Sequence, residues 1–196
     1  MRRALLLAAA ATCLAMAACQ PSGPKFRSTD VTGAEFGKSL ELTGHDGKRR
    51  TLQDFRGRLV VLFFGFTHCP DICPTTLADA AAVLKRLGPE AARVQVLFVT
   101  VDPERDTAEV LGRYVTAFDP GFLGLRGDDE ATKRAAKEFK IFYEKRPGSA
   151  PGAYTVDHSG QTYVIDGQGR LRLFVRHDRL STDLEPDLRT LLKEDQ

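Results

Sequence analysis

The segment FTHCPDICP, residues 66–74, places two cysteines four positions apart, with a proline after each and a histidine in front. Paired thiols of this kind form disulfides, exchange electrons with other disulfides, or bind soft metal ions. A thioredoxin-type redox motif has two residues between its cysteines, whereas three residues separate Cys69 from Cys73. The spacing therefore raises the question of which chemistry this pair performs.

The wider spacing favours a metal without excluding the other two chemistries. Two thiolates on one metal, with bonds near 2.3 Å, lie roughly 3.8 Å apart, and a third intervening residue makes that gap easier to hold. A disulfide remains open, because cysteines with Cα atoms about 4.4–6.8 Å apart can be bridged. From the spacing alone, a metal site, a redox pair and a static disulfide all remain possible.

Pro74 indicates where the following helix begins. Proline is favoured at the first helical position, where its missing N–H costs nothing. This predicts that Cys73 is the N-cap residue, with free N–H groups of the first turn facing its sulfur. Such a position lowers the pKa of a thiol below its free value of about 8.5.

A metal needs further ligands, and the histidines are the candidates. We expect His45 and His177 to be solvated, because each lies beside a turn or at a strand end among charges. His68 adjoins Cys69, but neighbours on an extended chain point to opposite sides. His158 stands just before a predicted strand, in a loop that would lie against the cysteine pair in a thioredoxin-like sheet.

The elements around the cysteines predict a β-α-β unit. The uncharged run LVVLFFGF, residues 59–66, is typical of a strand buried on both faces, and residues 94–102 are predicted to form a second apolar strand. Between them we expect a helix that ends at Gly88-Pro89, with one apolar face: Leu77, Ala80, Ala81, Leu84 and Leu87. Because sites in open α/β sheets gather at the carboxyl ends of strands, the cysteines are well placed for chemistry.

The rest of the chain completes an α/β prediction for one domain of this 196-residue chain. We expect hairpins over residues 39–52 and 161–175, a long loop over 143–155, and a C-terminal helix from 181. Two further helices are predicted, over 108–118 with Thr107 as cap, and from Asp128 or Asp129 through Phe139. The predicted fold is thioredoxin-like, a central mixed sheet flanked by helices, with an N-terminal hairpin.

The N-terminus predicts export. Two arginines precede an apolar run over residues 4–18, which is shorter than the roughly 20 residues that span a bilayer and is typical of a signal peptide. Cleavage could follow Ala17, but residues 16–19 resemble a bacterial lipobox, with Met16 where leucine is usual. We favour a lipoprotein signal over 1–18 and a lipid on Cys19, which would otherwise be an unpaired thiol in an oxidising compartment.

These assignments leave a simple organisation. The signal removes Cys13 and the lipid occupies Cys19, so Cys69 and Cys73 are the cysteines of the folded body. Residues 19–35 are expected to be a lipid-anchored tether, and 36–196 the thioredoxin-like domain.

Charge and motifs exclude two classes of partner. Arg2 and Arg3 account for the net charge of +2, because the other 26 basic residues balance 26 acidic ones. Without a basic stripe, nucleic-acid binding has no electrostatic support. The sequence also lacks G-x-G-x-x-G and P-loop motifs, so nucleotide binding is not expected.

Three segments together resemble the signatures of the Sco/SenC copper proteins: GFTHCPDICPTTL at 65–77, VTVDPERDT at 99–107 and VDHSGQTYVID at 156–166. The resemblance implies a thioredoxin-like, extracytoplasmic, membrane-anchored protein that helps assemble the binuclear copper (Cu-A) centre of cytochrome c oxidase. It also implies that Cys69 and Cys73 supply two thiolate ligands and that His158 supplies an imidazole ligand. Many members carry an N-terminal transmembrane helix, whereas this chain is expected to use a lipid on the periplasmic side of a bacterial membrane.

The donor chemistry agrees with this implication. Two thiolates and one imidazole suit Cu(I) and tolerate Cu(II), and copper lies above zinc, the obvious rival, in the affinity order. We therefore expect a copper metallochaperone whose acceptor is the copper-bearing oxidase subunit, rather than an enzyme. The alternative is a thiol-disulfide reductase that keeps the acceptor's cysteines reduced and needs Cys69 and Cys73 but not His158. Asp102 and Pro103 are expected to form a turn and not to bind metal.

Overall fold

A computed structural model of the chain describes residues 23–148 and 151–194. The predicted signal peptide, 1–18, and the predicted lipid-bearing Cys19 lie outside the described residues. Within the described ranges, no helix has both the length and the apolar character that crossing a bilayer demands.

Within the described residues, eight strands form one mixed sheet. In chain order they are β1 (Thr29–Asp30), β2 (Glu41–Gly44), β3 (Arg49–Thr51), β4 (Leu59–Gly65), β5 (Val94–Thr100), β6 (Leu123–Arg126), β9 (Thr162–Ile165) and β10 (Leu171–Val175). The strands between β6 and β9, β7 (Tyr143–Pro147) and β8 (Tyr154–His158), form a separate antiparallel hairpin. The order across the large sheet is β1-β10-β9-β4-β5-β6-β2-β3. This arrangement confirms the predicted central mixed sheet, and β2 and β3 form the predicted N-terminal hairpin.

The centre of the sheet positions the cysteine motif. All seven residues of β4 and all seven of β5 are buried, and the two strands are parallel, as predicted, with Gly65 opposite Thr100. On the other side of β4, β9 runs antiparallel and pairs Thr162 with Phe63. The carboxyl ends of β4 and β5 therefore meet the beginning of β9 at one edge of the sheet.

Helices cover the sheet. Within the described ranges they are α1 (Ile72–Leu87), α2 (Ala108–Thr116), α3 (Asp129–Glu138) and α4 (Leu180–Glu194), with short 3-10 helices at Leu52–Phe55, Gly88–Arg93 and His177–Arg179. The helix α1 connects β4 to β5, which confirms the β-α-β unit. It ends at Leu87 and is capped by Gly88, whose φ of +63° favours glycine.

The apolar face predicted for α1 is confirmed in part. Leu77, Ala80 and Leu87 are buried, but Ala81 and Leu84 are only half-buried. Thr76 and Val83, outside the predicted set, are buried instead. The buried face is therefore rotated slightly from the one that the apolar pattern indicated.

The predicted caps and hairpins are largely confirmed. Thr107 accepts a hydrogen bond from Val110 N, and α2 ends two residues earlier than predicted. Asp128 accepts from Ala131 N at 2.7 Å and begins α3. The strands β9 and β10 form the predicted hairpin, and α4 is the predicted C-terminal helix.

The prediction of a long loop over residues 143–155 is wrong. The segment forms the β7-β8 hairpin, which pairs Tyr143 with His158 at one end and Pro147 with Tyr154 at the other. Most side chains of this hairpin are exposed or half-buried, so it lacks the apolar pattern that marks a strand. The glycines and prolines that suggested a loop cluster at the turn.

The described part of the segment predicted as a tether contacts the folded body. The backbone N–H groups of Arg27 and Ser28 donate to the carboxylate of Asp187, at 2.8 and 2.9 Å. The strand β1 then pairs with β10 at the edge of the sheet. The ordered contacts of the fold therefore extend at least to residue 27.

Candidate metal centre

The three residues that the resemblance indicates as metal ligands meet at the carboxyl edge of β4. Cys69 lies in the loop after β4, Cys73 lies in the first turn of α1, and His158 is the last residue of β8. One donor atom from each of them, two sulfurs and a ring nitrogen, lies within 4.8 Å of the others. The fold thus joins a local pair to a histidine 85 residues beyond Cys73.

The geometry of this cluster suits a single metal ion. The sulfur of Cys73 lies 3.5 Å from Nε2 of His158, and both cysteines are free thiols. Cys73 is fully buried, whereas Cys69 and His158 are half-buried. A ligand atom from outside can therefore approach the cluster from the side of Cys69 and His158.

Neighbouring groups fix the orientation of the His158 ring. Its Nδ1 lies 3.0 Å from the carbonyl oxygen of Ser159, which only accepts hydrogen bonds, so Nδ1 carries the proton. This leaves the lone pair on Nε2, the atom that faces the sulfurs, as a metal ligand requires. The rings of Phe63 and Phe66 contact the imidazole edge to face, at centroid distances of 6.0 and 5.7 Å.

The helix begins earlier than the sequence suggested. Asp71 is the N-cap residue and α1 starts at Ile72, so Cys73 is the second helical residue and Pro74 the third. Proline fits there as well, because the first turn makes no use of its N–H groups within the helix. The prediction that Cys73 is the N-cap is therefore wrong by two residues.

Because of this shift, an N–H group at the helix start faces the sulfur of Cys69 and not the sulfur of Cys73. The Cys73 N–H points at the sulfur of Cys69, 3.5 Å away. A hydrogen bond from the Cys73 thiol, together with N–H groups at the helix start, lowers the pKa of Cys69 to about 3 against the opposing effect of burial. The hydrogen bond with Cys69 and burial raise the pKa of Cys73. The thiolate thus resides on Cys69, and the prediction of a lowered pKa at Cys73 is wrong.

Gly65 leaves room for the buried sulfur. A Cβ at this position would lie 2.6 Å from Sγ of Cys73, 2.9 Å from Phe98 and 3.0 Å from Phe63. Reasoning from the sequence missed this requirement. The signal was present, because a glycine inside a strand of bulky apolar residues often marks a close approach of another group.

The other three histidines lie outside the cluster. His68 is exposed, and its Nδ1 lies 3.1 Å from the hydroxyl of Thr67, consistent with a ring that faces away from Cys69. The expectation that His45 and His177 are solvated is wrong. Both are half-buried: His45 accepts from Gly124 N at 3.1 Å, and His177 lies 3.0 Å from the hydroxyl of Thr76.

Reasoning from the sequence did not predict that two carboxylates beside the site are buried and hydrogen-bonded. Asp102 and Asp106 are both fully buried after β5. Asp102 follows the strand as a turn residue, as expected, but its carboxylate also accepts from the hydroxyl of Tyr154. The spacing VDPERD contained the signal, because two aspartates in a turn directly after a buried strand need partners.

The fold and the centre define a thioredoxin-like protein with a Cys-Cys-His cluster that is able to hold a metal ion. Two thiolates and an imidazole form a soft donor set, which suits Cu(I), and three donors leave one position of a tetrahedral metal open. Residues 28–193 match the family model described as SCO1/SenC. The chain therefore belongs to the SCO1/SenC family.

Among the relatives, the mitochondrial SCO2 homologue of Danio rerio is 40% identical over 156 residues, 79% of this chain and 56% of that protein. The chain spans 50–60% of the length of the mitochondrial SCO2 homologues that it matches.

Two solved structures show the same fold. The apo Sco1 protein of Thermus thermophilus is 40% identical, with a TM-score of 0.74, and the match covers 89% of this chain and 99% of that one. Bradyrhizobium japonicum ScoI, with copper bound, is 34% identical with a TM-score of 0.73, covering 82% and 99%. A thioredoxin-like fold shared with Sco proteins is thus confirmed.

Proposed function

We propose that this protein is a copper metallochaperone that binds one copper ion through Cys69, Cys73 and His158. The observation that carries the proposal is the meeting of these three donor atoms within 4.8 Å of one another. Their chemistry is that of a copper site, and the ScoI relative with copper bound supports the choice of metal.

Delivery to the Cu-A centre of cytochrome c oxidase is the finer part of the proposal. It is supported by the family, whose signatures the motif segments at 65–77, 99–107 and 156–166 resemble. Copper is the cargo of such a protein. With three ligands on the donor and one position open, an acceptor thiolate can bind before a donor sulfur leaves, so the metal need not become free.

The surface beside the site fits this exchange. Phe142 is the large hydrophobic residue that is exposed among the described residues, with 58% of its surface accessible. Its N–H and carbonyl oxygen both bond to Ser159, which follows His158. Aromatic side chains are enriched among the residues that contribute most to binding at protein–protein interfaces. We propose that the acceptor subunit covers Phe142 when its ligands reach the copper.

Membrane attachment belongs to the same proposal. A signal over 1–18, a lipid on Cys19 and a tether up to about residue 26 would hold the domain on the periplasmic face of a bacterial membrane, near a membrane-bound acceptor. Replacement of Cys19 by serine tests this part: the variant should leave the membrane fraction while it retains copper binding.

A second function is favoured by the asymmetry of the cysteine pair. A half-buried thiolate beside a buried thiol with a raised pKa is the arrangement in which one sulfur attacks a disulfide and the other resolves the mixed disulfide. The protein would then act as a thiol-disulfide reductase for the acceptor's cysteines. This function does not need the imidazole of His158.

One experiment separates the two functions. In cells that lack the protein, oxidase maturation is measured after complementation with the wild type, His158→Ala and Cys73→Ser. The copper proposal predicts that both variants fail. Normal maturation with His158→Ala, together with failure of Cys73→Ser, would favour the reductase and contradict copper delivery.

A further inference from the structure

The metal centre combines two parts of the fold that are not joined by sheet hydrogen bonds. The cysteines follow β4 of the large sheet, whereas His158 ends the separate β7-β8 hairpin. Besides the short link from His158 to β9, the distance between the sulfurs and the imidazole therefore depends on contacts that hold this hairpin against the large sheet. Buried polar groups beside the site provide such contacts.

The carboxylate of Asp102 holds the hairpin. The hydroxyl of Tyr154, the first residue of β8, donates to Oδ1 of Asp102 at 2.8 Å. Arg105 donates to Oδ2 of Asp102 at 2.5 Å and to the carbonyl oxygen of Tyr154 at 2.9 Å. Its guanidinium carbon also lies 3.7 Å from the centroid of the Tyr154 ring. The first residue of the strand that ends in His158 is thus bound by three contacts.

The carboxylate of Asp106 holds the cysteine loop. It accepts from the backbone N–H and the hydroxyl of Thr67, at 3.1 and 2.6 Å. Thr67 lies two residues before Cys69, in the loop that leaves β4. Both carboxylates are fully buried, and hydrogen bonds to buried charged groups are stronger than those between neutral groups.

Thr100 connects the carboxylate of Asp106 to the backbone of Asp102. Its hydroxyl accepts from the N–H of Asp102 at 2.9 Å and donates to Oδ2 of Asp106 at 2.5 Å. Thr100 is the last residue of β5, lies opposite Gly65 and is fully buried. A continuous set of bonds therefore runs from the hairpin through the end of β5 to the cysteine loop.

We propose that Asp102, Thr100 and Asp106, with their partners Tyr154, Arg105 and Thr67, form a positioning network that sets the His158-to-cysteine distance. The inference rests on the proposed copper site and deepens it, because it assigns copper affinity to residues that do not touch the metal. Each buried carboxylate needs its hydrogen-bond donors. The loss of one bond leaves a charged group unsatisfied, and it loosens either the hairpin that carries His158 or the loop that carries the cysteines.

The test begins with Tyr154→Phe, which removes the bond to Asp102 and keeps the ring that stacks on Arg105. We expect copper affinity to fall about tenfold, as is typical when a group that orients a ligand is removed. In the Cu(II) protein, the nitrogen splitting of the electron paramagnetic resonance spectrum should weaken while the thiolate-to-copper band persists. This pattern would locate the defect at His158.

Tyr163→Phe is the matched control. The Tyr163 hydroxyl is buried and donates to the carbonyl oxygen of Phe139 at 2.8 Å, a bond that joins β9 to the end of α3 outside the network. Its loss should lower the melting temperature about as much as Tyr154→Phe does, while copper affinity and the spectrum stay unchanged. An equal fall of affinity in both variants would overturn the proposal, because general destabilisation would then explain it.

Thr100→Val is a second test, because valine has nearly the same volume as threonine but lacks the hydroxyl. It breaks the link between the Asp106 carboxylate and the Asp102 backbone, and it should weaken copper binding at least as much as Tyr154→Phe. Wild-type affinity in either folded variant would overturn the network.

A measurement without metal keeps the two proposals distinguishable. The His158 ring signal in the nuclear magnetic resonance spectrum of the metal-free protein should shift or broaden in Tyr154→Phe and not in Tyr163→Phe. If the wild type fails to bind copper but this signal behaves as expected, the proposed function is wrong and the positioning network stands. An unchanged signal in Tyr154→Phe would overturn the network whatever the copper result.

Discussion

The sulfur of Cys73 and Nε2 of His158 lie 3.5 Å apart, although 85 residues separate them in the chain. The cysteine comes from the β-α-β unit and the histidine from a hairpin outside the large sheet. Their contact creates the site, because the cysteine pair alone would be equally suited to redox chemistry.

Gly65→Ala should disturb the packing around the sulfur of Cys73. The added methyl group would lie 2.6 Å from the sulfur of Cys73, so either the sulfur or the strand has to move. We expect a loss of about 1–3 kcal/mol in the free energy of unfolding, measured by urea denaturation, and a weaker affinity for copper.

Gly160→Ala is the control for this change. A methyl group there would meet Ile72 at 3.4 Å, an ordinary contact, and the backbone has no positive φ. Its stability should stay within about 0.5 kcal/mol of the wild type. If Gly65→Ala were as stable as Gly160→Ala and bound copper normally, the tight packing around Cys73 would be refuted.

Cys69 should remain reactive in mildly acidic solution. Its pKa of about 3 means that the thiolate is almost fully formed throughout pH 6–8. Alkylation of Cys69 in the reduced, metal-free protein, followed by mass spectrometry, should therefore proceed at nearly the same rate at pH 6 and pH 8. For an ordinary thiol with a pKa of about 8.5, the alkylation rate would fall almost tenfold for each unit by which the pH is lowered over most of this range. That result would count against the assignment of the thiolate to Cys69.

Replacing Cys73 should restore ordinary behaviour at Cys69. The hydrogen bond from the Cys73 thiol is the largest cause of the lowered pKa of Cys69. Cys73→Ala should therefore raise this pKa and make alkylation faster as the pH rises. A rate that stays flat in this variant would mean that other groups stabilise the thiolate.

Copper binding should release one proton. At pH 8, Cys69 is already a thiolate, whereas the raised pKa of Cys73 keeps that thiol protonated. Binding to both sulfurs must then displace the Cys73 proton, and the apparent affinity should rise about tenfold per pH unit near pH 8. Calorimetry in two buffers of different ionisation enthalpy counts the protons, and a count of two or none would contradict the pKa order.

Phe142→Ser should separate copper delivery from copper binding. Phe142 is not a ligand, so the copper affinity of the variant should equal that of the wild type. Transfer to the soluble copper-bearing domain of the oxidase subunit should slow by about tenfold or more, as expected for an aromatic contact residue at an interface. Stopped-flow absorbance of the acceptor centre measures this rate. An unchanged transfer rate would exclude Phe142 from the docking surface.

Much of the fold could be predicted from the sequence. Long apolar runs gave β4 and β5, and turn and cap residues such as Thr107 and Asp128 gave the helix starts. The β7-β8 hairpin could not be predicted, because its side chains are mostly exposed and its strands have no apolar alternation. Local patterns reveal elements that are buried, and this hairpin is largely exposed.

The site, too, could be predicted from the sequence only in part. The spacing of Cys69 and Cys73 was visible as a candidate pair, but spacing alone did not identify His158, which was assigned by the resemblance to the Sco/SenC signatures. The identity of the thiolate was predicted wrongly, because it depends on a helix start displaced by two residues. Contacts that join distant segments, such as Tyr154 with Asp102, leave no periodic trace in the sequence.

A copper titration of the reduced protein tests the central claim most directly. In the visible region, thiolate-to-Cu(II) bands should reach their maximum at one equivalent and disappear in Cys69→Ser and in Cys73→Ser. His158→Ala should weaken binding by about 100-fold or more, whereas His68→Ala, the exposed neighbour of Cys69, should bind as the wild type does. Equal affinities in His158→Ala and the wild type would contradict the account.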